Sequence, residues 1–126
     1  MATILCMDDC TLGMSDLIQI LSESGYQVLA AADRAAAIEL ASNDHVDAVI
    51  LNCHREQDNA GLVTALRILQ PHVAVVMFSG YCDIPCYQLH LADACIQKER
   101  TFGALIPVLR AVLCQSRYGL CRAFAA

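Results

Sequence analysis

Basic residues are scarce in this chain, and charge of either sign is sparse. Only 8 of the 126 residues are Lys or Arg, against 13 Asp or Glu, which gives a formal net charge of -5. The basic residues are scattered along the sequence. Because nucleic acids are bound by concentrated positive surfaces, this composition argues against nucleic-acid binding.

Membrane and export signals are also missing. The opening MATILCMDD has no basic start and reaches acidic residues at once, unlike a signal peptide. The apolar run from Phe102 to Cys114 is too short to span a bilayer and contains Pro107 and Arg110. We therefore expect a cytoplasmic protein without membrane contact.

No C-x-x-C pair occurs among the 8 cysteines, which argues against a structural zinc site. Without a secretory signal, a disulfide framework is not expected either. No glycine-rich phosphate loop follows the first apolar stretch, so a nucleotide-dependent enzyme is not indicated. The sequence predicts no cofactor and no enzymatic activity.

Apolar residues make up 57% of the chain and charged residues 17%, as in a domain whose sheet is covered on both faces. Periodicity predicts strands over 3–7, 27–31, 47–51, 73–78 and 94–97. It predicts helices over 14–24, 33–42, 59–69, 82–92 and 102–115. This alternation favours an α/β fold: a doubly wound, five-stranded parallel sheet with helices on both faces, of the flavodoxin-like type. We expect one domain over 1–115 and a short tail over 116–126.

Helix ends and inward faces can also be predicted. Asp33 is suited to cap the second helix and Gly25 to end the first. Pro71 should end the third helix, and Pro107 is tolerable only near the first turn of the last one. The helix residues expected to face the core are Met14, Leu17, Ile18, Leu21, Ala36, Ala37, Leu40, Ala41, Leu62, Ala65, Leu66, Leu69, Leu105, Val108, Leu109 and Val112.

Polar residues follow the predicted strands. Asp8 and Asp9 follow the first strand, Asn52 the third, Ser79 the fourth and Lys98 the fifth. In a doubly wound sheet the carboxyl ends of the strands border the functional crevice. Two carboxylates, an amide, a hydroxyl and an amine are therefore expected at one edge.

In their order and strand-end positions, these residues resemble the receiver domain of bacterial response regulators. The resemblance covers about Thr3 to Cys114 and includes the stretch GYQVLAAADRAAAIEL. It implies that the acidic pair Asp8 and Asp9, with the backbone carbonyl of His54, forms a Mg²⁺ site. It also implies that a strand-end Asp accepts a phosphoryl group from a histidine kinase.

The resemblance assigns Ser79 and Lys98 to the sensing of the phosphoryl group and Cys95 to the position of a switch aromatic. The phosphoacceptor position, however, is Asn52. A neutral carboxamide oxygen is a poor nucleophile, so Asn52 should not form an acyl phosphate. Loss of one anionic ligand should also weaken Mg²⁺ binding, and Lys98 could then pair with the acidic residues.

Two further departures point the same way, because Glu56 and Glu99 stand where this family usually has proline. We interpret the chain as a pseudo-receiver of two-component signalling that acts by protein interaction. The expected partners are a histidine kinase or an effector. A homodimer supported by the apolar tail LCRAFAA is a further expectation.

Two of these residues also have simpler interpretations. Asn52 could cap the end of its strand, which is compatible with a pseudo-receiver, and Ser79 could be a turn former. Two alternatives to the pseudo-receiver also remain open. The chain could be a receiver phosphorylated at another acid, such as Asp9 or Asp58. It could also be a redox-responsive regulator that uses Cys10 and Cys53.

Overall fold

The computed structural model describes residues 2–7, 14–53, 60–79, 92–97 and 101–117. Within these ranges the chain forms five strands and four helices. The strands are β1 (Thr3–Met7), β2 (Gln27–Ala31), β3 (Ala48–Cys53), β4 (Ala74–Ser79) and β5 (Ala94–Gln97). The helices are α1 (Met14–Glu23), α2 (Arg34–Asn43), α3 (Ala60–Leu69) and α4 (Thr101–Arg117). The predicted helix over 82–92 lies outside the described residues except for Ala92, which is not helical.

All five strands join one parallel sheet in the order β2-β1-β3-β4-β5. The chain reverses its direction of winding between β1 and β3, which lie side by side although β2 separates them in sequence. Parallel neighbours need crossover connections, and the helices between the strands supply them. The doubly wound α/β fold predicted from the sequence is therefore confirmed.

Each face of the sheet is covered by its own helices. One core cluster joins α1 and α4 to the sheet and includes Leu21, Leu105 and Leu109, all fully buried. The other joins α2 and α3 and includes Ala37 and Leu66. Successive residues of a strand belong to alternate clusters, as in Val49 and Ile50. The central strands are apolar throughout because both of their faces are buried.

Two predicted helix ends are confirmed. The carboxylate Oδ1 of Asp33 accepts a hydrogen bond of 2.8 Å from the N–H of Ala36 and so caps α2. Gly25 follows α1 with a φ of +92°, the left-handed conformation that glycine adopts most readily. The N–H of Tyr26 then donates to the carbonyl of Leu21 at 3.1 Å, which closes the helix.

Three details of the sequence prediction are wrong. Strand β3 does not stop before Asn52 but continues through Cys53, because both residues pair with β4. Leu69 is 39% exposed instead of facing the core. Val63, which was not predicted to face the core, is buried. Pro107 is the seventh residue of α4, beyond the first turn. A proline there cannot donate to the carbonyl four residues back, so the burial of Leu105 and Leu109 must outweigh the loss.

The described part of the chain contains no helix that is both long and apolar enough to span a bilayer.

Candidate functional site

The carboxyl ends of four neighbouring strands lie along one edge of the sheet. β1 ends at Met7, β3 at Cys53, β4 at Ser79 and β5 at Gln97. Cys53 pairs with Ser79, and Ser79 pairs with Gln97, so these three positions form a row across three strands. Adjacent strands in a sheet are separated by about 4.8 Å, so the row brings distant segments together. We refer to this row and the residues that follow it as the carboxyl edge.

Asn52 lies one residue behind this row on the central strand β3. Its Cα is in register with that of Phe78 on β4. On the other side, Met7 of β1 pairs with Leu51, the residue before Asn52. The backbone of Asn52 is thus part of the sheet and not of a loop.

The other predicted site residues fall into two groups. Ser79 and Cys95 lie on strands, Ser79 at the end of β4 and Cys95 on β5 in register with Met77. The remaining ones are outside the described residues, although several directly follow described strand ends in the sequence. These are Asp8, Asp9, Cys10, His54, Asp58 and Lys98.

Sequence reasoning missed a cation close to this edge. Arg34 is the first residue of α2, directly after the capping Asp33. Its Nη1 lies 3.6 Å from the point where a side chain on Gly61 would begin. Because α2 and α3 follow β2 and β3, both helix starts lie on the carboxyl side of the sheet. The guanidinium of Arg34 thus lies beside Gly61, the second residue of α3.

Acidic residues at the opposite, amino-terminal edge were also missed. Asp93 immediately precedes β5, and its Oδ2 accepts a hydrogen bond of 2.7 Å from the N–H of Val75. The same oxygen lies 3.4 Å from Nη2 of Arg67 on α3. The N–H of Asp93 donates back to the carbonyl of Val75 at 2.7 Å. Asp93 therefore binds β5 to β4 and α3.

Asp47 has a similar position before β3. Its Oδ2 accepts a hydrogen bond of 2.8 Å from the N–H of Thr3, and its Oδ1 lies 3.0 Å from Nε2 of His45. Its own N–H donates to the carbonyl of Thr3 at 2.9 Å. The N–H of Ala74 donates to the Asp47 carbonyl at 3.1 Å, so this residue connects β1, β3 and β4. Through these bonds, Asp47 and Asp93 have a structural role in holding the strands together.

The described residues include no group of three or more His, Cys, Asp or Glu side chains that could hold a metal ion. Asp8 and Asp9 lie outside the described ranges. Within these ranges, the polar positions that the sequence predicted are brought together only at the carboxyl edge.

The sequence matches the model of the response regulator receiver domain over residues 4–109. The chain belongs to this family. The matched segment begins in β1 and ends in α4, so it covers all five strands except Thr3. No curated protein sequence matches the chain significantly.

Solved structures agree with this assignment. A CheY-like receiver domain protein from Methanospirillum hungatei JF-1 has a TM-score of 0.81 and 23% identity, over 93% of this chain and 97% of that one. The response regulator TrrA from Thermotoga maritima, in complex with Mg²⁺-BeF, has a TM-score of 0.76 and 20% identity, over 89% and 99%. NtrX from Brucella abortus, in complex with ADP, has a TM-score of 0.82 and 26% identity, over 99% of this receiver and 29% of its own chain.

Proposed function

We propose that this receiver lacks a phosphoacceptor and signals by docking to other proteins in the cytoplasm, without catalysing a reaction. The proposal rests on the identity of one residue, on the central strand β3 at the carboxyl edge. Asn52 occupies that position, next to Leu51, the register partner of Met7. The family's acidic pair, Asp8 and Asp9, directly follows Met7 in the sequence.

The chemistry of an amide supports this proposal. Phosphoryl transfer to a receiver needs a carboxylate oxygen that attacks phosphorus and becomes an acyl phosphate. The amide oxygen of Asn52 carries no full charge, and its nitrogen lone pair is delocalised. A donor molecule therefore meets no competent nucleophile at this position, and the surface of the protein should not be switched by phosphorylation there.

The donor set fits Mg²⁺ only in part. The complex of TrrA contains Mg²⁺-BeF. Mg²⁺ takes oxygen ligands, of which Asp8 and Asp9 would supply two carboxylates. At Asn52 an amide oxygen would replace the third anionic donor, and the backbone carbonyl of His54 is the remaining candidate. When bound, the ion would neutralise charge at the carboxyl edge. We propose that this receiver holds it more weakly than the Asn52→Asp variant does.

Incubation with acetyl phosphate and Mg²⁺ tests the proposal. We expect intact-mass spectrometry to show no phosphoryl adduct on the wild-type protein and an adduct labile in both acid and base on the Asn52→Asp variant. Asn52→Ala is the matched control and should remain unmodified. An adduct on the wild-type protein at Asp9 or Asp58 would overturn the proposal, because the receiver would then use another acceptor.

Partner binding gives a second measurement. Receiver domains act together with histidine kinases and effector domains, so we propose a partner of one of these two classes. Binding to a candidate partner should be unchanged by acetyl phosphate in the wild-type protein. In the Asn52→Asp variant the affinity should respond to the donor.

A further inference from the structure

Three side-chain donors at the carboxyl edge have no part in the proposed function: the thiols of Cys10 and Cys53 and the imidazole of His54. Cys53 is the last residue of β3, and His54 follows it directly in the sequence. Cys10 is the third residue after β1. β1 and β3 are adjacent parallel strands, and their last register pair is Met7 with Leu51. The chain therefore brings these donors to one edge from two neighbouring strands.

The spacing of the strands permits a shared site. Neighbouring strands are about 4.8 Å apart. Cys10 and His54 each come three residues after the last β1–β3 register pair, and three residues extend over about 10 Å at most. The backbone of Cys53 is fixed at the edge by its pairing with Ser79 on β4. Donors that follow β1 and β3 can therefore reach a common point without any change in the sheet.

The donor types favour a metal ion softer than Mg²⁺. Thiolate and imidazole are the ligands that Zn²⁺ and related divalent ions prefer, most often four of them in a tetrahedral arrangement. Mg²⁺ takes oxygen ligands and gains most from carboxylates. The amide of Asn52 removes one carboxylate, and the thiols and the imidazole add sulfur and nitrogen. Both changes move the donor set away from a hard cation and towards a thiophilic one.

The lack of a C-x-x-C pair does not argue against a site of this kind. Such a pair places two ligands on one tight turn, as in a structural zinc site. Here one thiol follows β1 and the other ends β3, so the paired strands and not the local sequence bring them to the same edge. The acidic pair Asp8 and Asp9 precedes Cys10 directly in the sequence, and a carboxylate oxygen is also a zinc ligand. Four ligands are therefore available from the two segments.

We propose that the carboxyl edge binds a divalent thiophilic ion of the Zn²⁺ class through Cys10, Cys53 and His54, with a carboxylate of Asp8 or Asp9 as the fourth ligand. The bound ion joins the segments that follow β1 and β3 and so sets the shape of the docking surface. This inference rests on the proposed function, because it takes the edge to lack a phosphoacceptor, and it names metal binding as the regulation of that edge.

Substitution with cobalt tests the donor set directly. Co²⁺ bound by thiolates in a tetrahedral site gives a charge-transfer absorption in the near ultraviolet and intense visible bands, whereas Co²⁺ bound by oxygen ligands alone gives only weak visible bands. Titration of the full-length, reduced and metal-free chain with Co²⁺ should produce both strong signals, with an equimolar endpoint. Addition of Zn²⁺ should abolish them, because Zn²⁺ binds thiolate and imidazole sites more tightly than Co²⁺.

Single substitutions identify the ligands. Cys10→Ser and Cys53→Ser should each reduce the charge-transfer absorption and weaken Co²⁺ binding at least about tenfold, a loss seen even for groups that only orient a ligand. His54→Ala should weaken binding by a similar factor and keep the charge-transfer absorption, because both thiolates remain. Cys114→Ser, at an exposed position on α4, is the matched control and should change neither. Far-ultraviolet circular dichroism checks the fold of each variant, and Cys10→Ser carries the test if Cys53→Ser does not fold.

A reduced wild-type chain that gives no thiolate-to-cobalt absorption would overturn the proposal. So would an absorption that survives in the double variant Cys10→Ser with Cys53→Ser but disappears in Cys82→Ser with Cys86→Ser, because the metal would then bind elsewhere in the chain.

The proposed function fails by a different measurement. A phosphoryl adduct on the wild-type protein would reject the missing phosphoacceptor, whatever the cobalt titration shows. The absence of a cobalt signal would reject the metal site alone, because it does not change the chemistry of the amide at Asn52.

Discussion

At the amino-terminal edge of the sheet, Asp47 and Asp93 bind the backbone of neighbouring strands, whereas at the carboxyl edge two acids, Asp8 and Asp9, follow β1 in the sequence. Asp47 and Asp93 each stand directly before a strand and accept a hydrogen bond from a backbone N–H of another strand. Asp8 and Asp9 stand directly after a strand. Under the proposed function, the position of an acid relative to its strand separates two uses of a carboxylate: bonding between strands before a strand, and metal binding after it.

The two edges differ in how strongly the strand pairing depends on their side chains. The amino-terminal acids are bonded to strands that could otherwise leave buried N–H groups without partners. The strand pairing at Asn52 is carried by its backbone, in register with Phe78, and does not require a particular side chain. Substitutions at the two edges should therefore affect different measurable properties.

The largest loss of stability is expected for Asp93→Ala. The Asp93 side chain is only 14% exposed, and its removal deprives the buried Val75 N–H and Arg67 of one acceptor. A charged hydrogen bond of this kind contributes about 1.5–3 kcal/mol to the free energy of unfolding. Urea denaturation followed by circular dichroism should show this loss.

Asp93→Asn is the control, because its amide oxygen can still accept from the Val75 N–H, and it should recover part of that loss. Equal destabilisation by the two variants would indicate that the ion pair with Arg67 matters more than the backbone bond. A loss below about 0.5 kcal/mol for Asp93→Ala would contradict the structural role assigned to this edge.

A smaller effect is expected for Asp47→Ala, because the Asp47 side chain is 32% exposed and water can replace part of its bonding. We expect a loss of about 1–2 kcal/mol from the hydrogen bond to the Thr3 N–H. The matched control is His45→Ala, which removes the exposed partner of the same carboxylate and should change stability by less than about 0.5 kcal/mol. If His45→Ala lowers the free energy of unfolding as much as Asp47→Ala does, the stabilisation comes from the His45–Asp47 pair and not from the hydrogen bond to the Thr3 N–H.

The smallest change in stability is expected at the carboxyl edge, for Asn52→Asp. A third carboxylate near Asp8 and Asp9 should lower the free energy of unfolding by about 0.5–1 kcal/mol through like-charge repulsion. Addition of Mg²⁺ should reverse this loss, because an ion that binds only the folded state stabilises it. Thermal unfolding with and without Mg²⁺ measures both effects, and the wild-type protein should gain less from the ion. A variant that Mg²⁺ does not stabilise would argue against a retained metal site.

The sequence was sufficient to predict the fold and the ends of several elements. β1, β2 and β5 lie where the apolar stretches predicted them, and Asp33 caps α2. These signals are local, since apolar runs and capping residues act within a few positions. The end of β3 was missed because Asn52 and Cys53 were interpreted from their polarity, whereas the pairing with β4 decides the length of the strand.

The structural acids were missed for a different reason. The partner of Asp47 is the N–H of Thr3, 44 positions earlier, and that of Asp93 is the N–H of Val75, 18 positions earlier. Nothing in the sequence around these acids identifies such partners, because the bonds exist only once the strands have paired. The exposure of Ile68 and Leu69 could not be predicted either, because the sequence of a mostly apolar helix does not indicate which apolar residues face outward. For the candidate site, the residue types could be predicted from the sequence. Their position at one edge of the sheet follows from the fold.

The extension of β3 through Cys53 also bears on how this protein ages. An asparagine converts spontaneously to aspartate when the backbone nitrogen of the next residue closes a ring onto the side-chain amide carbon. That closure needs a locally flexible chain, and the backbone of Asn52 and Cys53 is instead fixed against Phe78 and Ser79 of β4. The amide at position 52 should therefore survive for the lifetime of the folded molecule, and old samples should not gradually acquire an aspartate there.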